Sequence, residues 1–589
     1  MPTTDAPPAK DDAALATPAR AQLAVTILLV ALYVAARLWR LTASCLWFDE
    51  IFSLHAARHT WGGMWRFAAA DLIHPPLFYA LLKIWTAAGG DSLLWLRLFP
   101  ALTSVLALVP FLLLARELRL GAAATDVALL LMAADGYLIK YAQEVRMYSL
   151  LLTLTLLSLW LFAKLLNAER TTRGLFLALF FVNLLLVYTH YYGWLVVACE
   201  AAYLLFRDRR KLPTFLPASA ALAILYVPWV AACARASAEG GGLAQNIGWI
   251  ARPVARDLWQ FFALLNEPFY FRQSSDEPLY ARGGAPLGLL LVGLPVLILL
   301  LRTPMRRRHE AAQAENADGE NTKRDDDGGR GTRNDEHGRR DDDEHEARDD
   351  GGRTEALLFL SFFTALPVAL AFAASYALPQ SVWGERHLIV VAAPYALLAG
   401  VALARLRPFW LKSGLLIILC CWFLAVGALS LARREGTYIW CAWGSLAASA
   451  ATDEARSDLN AAAQTTQSDS TASAAQTVTV YAFEDLVAYH LWFALDGDGA
   501  RRFRVVVLKG LPGLIEDPAY FLPRRFDGVG VARADSINDG RFWAAFRDAA
   551  WDESHEPLKT ILARGYRAER VYETTAQGQR AFLVLFKRA

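Results

Sequence analysis

The stretch AQLAVTILLVALYVAARLWRL occupies residues 21–41, and TASCLWFDE follows it at residues 42–50. The first stretch is long enough to cross a bilayer, which takes about 20 apolar residues in a helix. A carboxylate near the end of such a span is costly to keep unless it has a function. We therefore interpret Asp49 and Glu50 as candidate site residues at the mouth of a membrane-spanning helix.

Further apolar stretches of membrane-spanning length follow. The chain has 589 residues, of which 55% are hydrophobic, and its mean hydropathy is +0.28. This composition is unusual for a soluble protein. With roughly 20 residues for each crossing, the sequence predicts about eleven spans, near residues 21–41, 92–114, 121–138, 147–166, 173–189, 192–206, 214–235, 286–301, 355–376, 387–405 and 409–431.

Basic residues predict the orientation of these spans. Clusters of Arg and Lys at 116–119, 164–173, 207–211, 302–308 and 405–407 all fall on one side of the predicted bundle. That side is the cytoplasm by the positive-inside rule. The rule places Asp49, His74, Glu144, His190 and Arg386 together on the opposite, extracytoplasmic side.

The sequence divides into membrane, charged and soluble segments. After residue 431 the pattern changes to strand-like runs near 477–481, 503–507 and 581–586 and helix-like runs near 485–495 and 557–565, which predict a small extracytoplasmic α/β domain. Residues 306–354 are almost entirely charged or small, a composition that predicts a disordered cytoplasmic linker. The predicted segments are a disordered tail at 1–20, a membrane module at 21–305 that includes a first outer loop at 42–91, the linker at 306–354, further spans at 355–432, a tether at 433–476 and the α/β domain at 477–589.

Global charge and cysteine content exclude some classes of function. The formal net charge is +2, so the sequence gives no sign of a nucleic-acid partner. Six cysteines are scattered without metal-type spacing, so we predict neither a zinc site nor a disulfide framework.

The first outer loop holds two candidate motifs. Asp49 in Asp49-Glu50 has the chemistry of a general base for a hydroxyl, although a solvated acid or a helix cap explains the pair equally well. His74-Pro75-Pro76 places an imidazole before a helix start, where anions bind, although a structural turn explains it equally well. Tyr79 lies one turn into that helix.

A polar stripe precedes the span near 147–166. Lys140, Tyr141, Glu144 and Tyr148 recur at helical spacing. Arg146 is offset from the stripe, and its guanidinium suits a phosphate. The stripe is explained either as a wall that holds a phosphate or sugar, or as a Lys140–Glu144 pair with interfacial tyrosines.

Three further candidates lie near span ends on the same side. His190 and Tyr191 sit in a short turn, where an aromatic belt explains the tyrosine better than the histidine. Arg386 precedes the tenth span and could supply a cation. Arg97 is either a ligand contact or a snorkelling side chain.

Taken in order, these strings resemble the membrane-embedded glycosyltransferases of the GT-C class, and most closely the bacterial branch of the protein O-mannosyltransferase and aminoarabinose-transferase superfamily. The matching strings are Phe48-Asp49-Glu50, His74-Pro75-Pro76 with Tyr79, Leu96-Arg97-Leu98-Phe99-Pro100, the run from Tyr141 to Tyr148, Thr189-His190-Tyr191 and Glu385-Arg386-His387-Leu388. The Trp-Trp-Asp-Tyr-Gly string of oligosaccharyltransferases is missing, which disfavours transfer to asparagine.

The resemblance implies a GT-C fold and an inverting transfer from a polyprenyl-phosphate sugar. It implies that Asp49 is the general base, and that Glu144 positions the acceptor or helps to bind a divalent cation near Asp49. From charge and placement, we assign His74, Arg146, His190 and Arg386 to the lipid phosphate. No residue is assigned as a resident metal ligand.

The acceptor and the sugar stay open at this point. A lipid, a glycan or a protein hydroxyl would each serve as the acceptor, and the enzyme would contact membrane lipids. The expected location is the bacterial inner membrane, with the site facing the periplasm. Two rival functions are a polymerase or ligase that uses lipid-linked glycans, and a transporter or flippase. A transporter would place its ionisable groups near the bilayer midplane, whereas the candidates here cluster at one rim.

Overall fold

The chain folds into a helical membrane module and a C-terminal α/β unit, which confirms the predicted fold class. The computed structural model describes residues 11–168, 172–239, 244–269, 284–301, 335–432, 438–464, 477–496, 502–509, 522–524, 526–548, 552–576 and 578–589. Within these ranges, seven helices are long and apolar enough to cross a membrane, and four shorter apolar helices accompany them. The count of eleven spans stays a prediction.

Among the described residues, the first half of the chain contributes fourteen helices to the membrane module. They are α1 (Asp11–Leu38), α2 (Phe48–Arg58), α3 (Trp61–Asp71), α4 (Leu77–Gly89), α5 (Leu93–Leu106), α6 (Leu108–Glu117), α7 (Ala122–Ala134), α8 (Gly136–Ala142), α9 (Tyr148–Asn167), α10 (Arg173–Thr189), α11 (Tyr192–Arg207), α12 (Leu212–Ala238), α13 (Ala244–Ile247) and α14 (Ala255–Leu264).

The second half completes the module and adds the α/β unit. Its helices are α15 (Pro286–Leu301), α16 (Asp335–Ala377), α17 (Ala392–Ala404), α18 (Phe409–Ala432), α19 (Ala442–Gln464), α20 (Asp485–Asp496) and α21 (Leu558–Ala563). A 3₁₀ turn at Glu385–Val391 leads into α17. The strands are β1 (Val478–Ala482), β2 (Phe503–Leu508), β3 (Val529–Ala532), β4 (Arg541–Asp548), β5 (Tyr566–Ala576) and β6 (Gln579–Arg588).

The six strands form one mixed sheet in the order β3-β2-β1-β4-β6-β5. β1 pairs in parallel with β2 and β4, whereas β6 is antiparallel to β4 and β5. Buried side chains on the two faces of the sheet belong to two separate hydrophobic clusters, one of which also includes Trp440 and Trp443. The strands predicted near residues 477–481, 503–507 and 581–586 are all present.

A break between α7 and α8 positions the second loop of the site. Arg37 donates to the carbonyl oxygens of Met132 (2.7 Å) and Ala133 (3.0 Å), and so satisfies groups that the end of α7 leaves open. The Asp135 side chain caps α8 by accepting from the Leu138 N–H at 3.1 Å. Irregular backbone of this kind is tolerated at membrane depth where it is buried in protein. The sequence indicated a kinked or re-entrant span at this position.

Helices occupy parts of three predicted segments, whose boundaries stay predictions. Helix α1 already begins at Asp11, within the tail predicted to be disordered, and α16 begins at Asp335, within the predicted linker. Extending an existing helix costs less free energy than nucleating a new one, which explains both extensions. The predicted tether at 433–476 contains α19, because its many alanines have the highest helix propensity. Residues 1–10 and 302–334 lie outside the described residues.

The structure also contains a disulfide that the sequence did not predict. Cys45 and Cys441 are bonded across a separation of 396 residues, with their Cα atoms 5.4 Å apart. Spacing along the chain could not reveal this pair, because the α/β unit brings Cys441 to the first loop only through the tertiary fold.

Candidate functional site

Six side chains from separate loops meet at one end of the helical module. We call this group the Asp49 cluster, and its members are Asp49, His74, Arg146, His190, Arg386 and His387. The first five were predicted to share one side of the membrane, and their contacts place them together on one side of the module. His74, Arg146 and His190 are buried, whereas the side chains of Asp49 and Arg386 are 17% and 32% exposed.

The Asp49 carboxylate lies between two guanidinium groups. Its Oδ2 atom accepts from Arg386 Nη1 at 3.1 Å and lies 4.0 Å from Arg146 Nη2. Arg146 also donates to the backbone carbonyl of Asp49 at 3.1 Å. Asp49 is the second residue of α2, so its position depends on how the start of that helix is held.

Glu50 and Arg97 hold the start of α2 in place. Glu50 Oε1 accepts from Arg97 Nε (3.3 Å) and the Val145 N–H (2.9 Å), and Oε2 accepts from Arg97 Nη2 (3.1 Å) and the Trp47 N–H (3.0 Å). Arg97 also donates to the Cys45 carbonyl at 2.7 Å. Both side chains are at most 2% exposed. Their geometry is that of a buried ion pair at the base of the loop, and the substrate contact predicted for Arg97 and the catalytic role predicted for Glu50 stay predictions.

Three histidines form the floor of the Asp49 cluster. The ring centroids of His74 and His190 are 5.3 Å apart, and those of His190 and His387 are 4.7 Å apart. Arg146 Nη2 lies 3.3–3.4 Å from the two ring nitrogens of His74. Gly384 makes room for this floor, because a Cβ atom there would lie 2.5 Å from His387 Nδ1.

Burial keeps the imidazole rings of His74 and His190 uncharged. Burial, helped by Arg146, lowers the pKa of His190 to about 3 and the pKa of His74 well below its ordinary value. His190 Nδ1 accepts from the Tyr192 N–H at 3.1 Å, so the proton of the neutral ring is on Nε2. His190 therefore presents an N–H donor to the cluster.

Several buried polar atoms around the cluster have no hydrogen-bond partner among the described residues. They are the hydroxyls of Tyr79 and Tyr148, Nε of Arg146, and Nε2 of His190 and His387. Buried polar groups are normally hydrogen-bonded, so a concentration of exceptions needs an explanation. A bound ligand that supplies acceptor oxygens would satisfy them.

The residues of the predicted stripe do not share one helix, because α8 ends at Ala142 and α9 begins at Tyr148. Lys140 Nζ is 4.0 Å from Glu144 Oε1, and the Tyr141 and Tyr148 rings pack edge to face at 4.7 Å. The pKa of Glu144 is raised to about 7, chiefly by burial; the charges of Glu50 and Asp49 act in the same direction, and Lys140 opposes them.

Tyr191 points away from this chemistry. Its hydroxyl donates to the Leu72 carbonyl at 3.1 Å and lies 3.4 Å from Trp229 Nε1. Both contacts hold the turn before His74. The described contacts of Tyr191 belong to that turn, and the substrate contact predicted for it stays a prediction.

Two residues near the site were not predicted. His387 directly follows Arg386, so its place in the quoted string Glu385-Arg386-His387-Leu388 was the one signal for it. Asp71 is the last residue of α3, and its pKa is raised to about 7, chiefly by burial. The charge of Arg146 lowers this pKa, and the charge of Asp49 raises it. A single acid at a helix end gives no sequence signal of this kind.

The contacts favour an anion over a metal ion at this site. Within the described ranges, His74, His190 and His387 are the one group whose ligand atoms lie close enough for a metal, within 4.8 Å of one another. His190 Nε2 carries a proton, however, and Arg146 faces His74, so neither suits a cation. The cation predicted near Asp49 and Glu144 would have to compete with Arg386 for Asp49, and we derive no step through it.

Comparison with known proteins gives structural similarity only. No family model matches the chain, and no curated protein matches it. The chain is similar to the crystal structure of ArnT from Cupriavidus metallidurans in the apo state, with 16% identity, a TM-score of 0.49 and coverage of 95% of this chain and 97% of that one. The ArnT structure bound to undecaprenyl phosphate gives 15% identity and the same TM-score and coverage. The archaeal oligosaccharyltransferase AglB from Archaeoglobus fulgidus, in complex with an inhibitory peptide and a dolichol-phosphate, gives 14% identity, a TM-score of 0.39 and coverage of 80% and 63%.

Proposed function

We propose that the protein is a glycosyltransferase that moves a sugar from a polyprenyl-phosphate donor to a hydroxyl acceptor on the extracytoplasmic side of the membrane. The observation that carries the proposal is the Asp49 cluster, in which one carboxylate stands beside two guanidiniums and a floor of neutral histidines. The partnerless donors around it match the oxygens of a phosphate. A membrane-embedded module suits a donor with an isoprenoid tail.

In the proposed reaction, Asp49 takes the proton of the acceptor hydroxyl. The acceptor oxygen forms a bond to the anomeric carbon from the face opposite the phosphate. The bond between that carbon and the phosphate oxygen breaks, and its electron pair stays on the phosphate. The configuration at the anomeric carbon is therefore inverted, and the lipid phosphate leaves with one additional negative charge.

Arg146 and Arg386 stabilise that developing charge. Guanidiniums bind phosphate through forked, charge-assisted hydrogen bonds. Preorganised donors aimed at a developing charge usually give the largest single contribution to catalysis. The neutral His190 ring offers its Nε2–H without adding charge that would repel the arginines. Glu144 is close enough to Asp49 for the two charges to interact, and we assign it to the acceptor together with Lys140, which lies 4.0 Å from it.

The disulfide supports the extracytoplasmic assignment. Disulfides persist in oxidising compartments such as the bacterial periplasm and are rare in the cytosol. Cys45 lies in the same loop as Asp49, so both residues face the same compartment. If the disulfide indicates an oxidising compartment, Asp49 faces that compartment as well. The basic residues at the opposite helix ends, such as Arg116 and Arg207, agree with this orientation.

Sidedness can be tested with two glycines that have open space around a built Cβ atom. Gly62 lies in α3, in the same first outer loop as Asp49, and Gly121 precedes α7 after the span that follows that loop. In a chain whose four free cysteines are replaced, an impermeant thiol reagent should label Gly62→Cys in intact spheroplasts and Gly121→Cys only after lysis. The reverse pattern would overturn the assignment.

Transfer itself is tested with purified protein and a polyprenyl-phosphate donor that carries a labelled sugar. We expect label to move to an envelope-derived acceptor fraction, with release of polyprenyl phosphate in equal amount. Release of a lipid diphosphate from a lipid-diphosphate-linked glycan, with no turnover of the monophosphate donor, would favour the polymerase or ligase instead. Movement of intact donor between leaflets without cleavage would favour a flippase.

A further inference from the structure

Helix α2, which carries Asp49, is held on two sides. The membrane module holds one side through Arg97 and Arg146. The other side faces the C-terminal α/β unit. The ring of Phe48 packs edge to face on Tyr489 of α20, with centroids 5.4 Å apart.

A hydrogen bond joins the same two helices. The Tyr489 hydroxyl lies 3.0 Å from His55 Nδ1, and both side chains are buried. His55 also packs against Trp492 at 4.8 Å and Phe526 at 5.1 Å, both of which belong to the α/β unit. Two turns of α2 therefore rest on α20.

Trp47, the residue that immediately precedes α2, contacts both parts of the protein. The Trp47 N–H donates to Glu50 within the membrane module, whereas the Trp47 side chain packs against the hydrophobic cluster of the α/β unit. Two residues earlier, Cys45 is covalently bonded to Cys441 at the entrance to α19. A displacement of the α/β unit would consequently act on the backbone immediately before Asp49.

A further contact joins the unit to the turn before His74. Arg524 Nη2 donates to Asn246 Oδ1 at 2.8 Å, and the Asn246 amide donates to the backbone carbonyl of Asp71. Arg524 and Asn246 are 8% and 6% exposed. The α/β unit therefore reaches both loop segments that carry predicted site residues in the first outer loop.

We propose that the C-terminal α/β unit positions the catalytic base, with Tyr489 as the positioning residue that transmits its hold to Asp49 through helix α2. The Cys45–Cys441 disulfide adds a covalent connection between the α/β unit and the segment that precedes α2. Tyr489 contacts Phe48 and His55 of α2, so we expect its loss to act through the position of Asp49, on the rate of the chemical step and not on binding of the donor phosphate. The catalytic part of this proposal rests on the proposed transferase function.

The test uses the full-length chain with Tyr489→Phe, which removes the hydroxyl and keeps the ring. Tyr572→Phe is the matched control, because the Tyr572 hydroxyl bonds Asp453 at 2.6 Å within the α/β unit and lies away from α2. The first readout is hydrogen–deuterium exchange of residues 48–58, which requires no substrate. We expect faster exchange in Tyr489→Phe and unchanged exchange in Tyr572→Phe.

The second readout is sugar transfer. Loss of one net hydrogen bond predicts a fall in kcat of about fivefold for Tyr489→Phe, with an unchanged KM for the donor. In the Asp49→Asn background the same substitution should have no further effect on residual transfer, because the positioned group is gone. If Tyr489 had a merely structural role, Tyr489→Phe would lower the transfer rate by the same factor in the wild-type and Asp49→Asn backgrounds.

A second variant protects the test against misfolding of the first. The double substitution Cys45→Ser/Cys441→Ser removes the covalent hold, and it should raise exchange of residues 48–58 in the same way. Unchanged exchange in both variants would overturn the proposal, whether or not the protein transfers sugar. If exchange of residues 48–58 is faster in the variants but the wild-type protein transfers no sugar, the result would support the positioning of α2 by the α/β unit. It would reject only the transferase assignment.

Discussion

Arg386 donates a hydrogen bond to Asp49 at 3.1 Å, and this pair joins the first loop of the chain to the segment that begins the penultimate helix of the membrane module. The two residues are 337 positions apart in the sequence. Arg386 therefore has two anionic partners in the proposed reaction cycle. It holds the carboxylate before the donor binds, and the donor phosphate competes for it afterwards, which leaves the carboxylate oxygen to the acceptor.

Two substitutions of Arg386 should separate the effect of its positive charge on kcat from the effect of its paired guanidinium N–H donors. Arg386→Met removes a phosphate donor, and loss of one such donor typically costs about 10²–10³ in kcat. Arg386→Lys keeps the positive charge but not the paired N–H donors of the guanidinium. The fall in kcat for Arg386→Lys should therefore be distinctly smaller. Steady-state kinetics with varied donor would measure both. Equal losses in the two variants would contradict the role of charge.

Breaking the Glu50–Arg97 pair should unfold the loop before it affects chemistry. Removal of one partner from a buried ion pair leaves an uncompensated charge, which typically costs about 3–5 kcal/mol. Arg97→Met should accordingly lower the midpoint of thermal unfolding in detergent. The control is Asp91→Asn, which breaks an exposed pair with Arg58 in the same loop and should cost at most about 1 kcal/mol. A stable, inactive Arg97→Met protein would instead restore the predicted substrate contact.

The raised pKa of Glu144 predicts a specific dependence of stability on pH. Its folded-state pKa is about 7, against an ordinary value of 4.5, so the folded protein binds more protons between these values than the unfolded chain. Folding stability from this group therefore falls as pH rises from about 4.5 to about 7, and changes no further above that range.

Glu144→Gln removes this dependence and is the variant that tests it. The difference in unfolding midpoint between Glu144→Gln and wild type should increase from pH 5 to pH 7 in favour of the variant. Differential scanning fluorimetry across that range would measure it. A difference that is constant with pH, or that favours the wild type at pH 7, would show that Glu144 is ionised in the folded protein throughout.

Removal of divalent cations should leave transfer nearly unchanged. Arg146 and Arg386 already face the Asp49 carboxylate, and His190 presents a protonated nitrogen, so the cluster has the donors that a cation would otherwise replace. Transfer after EDTA treatment and desalting would be the measurement. A loss that one divalent ion restores would show that the cation predicted near Asp49 and Glu144 is required.

The sequence predicted the fold class because this depends on local pattern. Apolar length identifies spans, and the basic residues at their ends were the reason for grouping His74, His190 and Arg386 on one side of the membrane, which stays a prediction. The α/β unit was predicted because alternating and turn-separated runs persist in residues 477–589.

Residue roles needed the tertiary structure. Glu50 and Asp49 are neighbours with the same chemistry, yet the first is saturated by four hydrogen bonds and the second faces two guanidiniums. Nothing in a dipeptide of acids distinguishes them. The Cys45–Cys441 bond and the contact between His55 and Tyr489 join segments about four hundred residues apart, beyond the reach of any local pattern.

The most direct test of the account is a single-turnover measurement with Asp49→Asn. Wild-type protein and the variant would be mixed with a labelled polyprenyl-phosphate sugar and acceptor, with Asp91→Asn as a control acid in the same loop. The account predicts a loss of about 10²–10⁴ in the transfer rate for Asp49→Asn alone, the usual range for a general base, with donor binding retained. Transfer at the wild-type rate by a folded Asp49→Asn protein would contradict it.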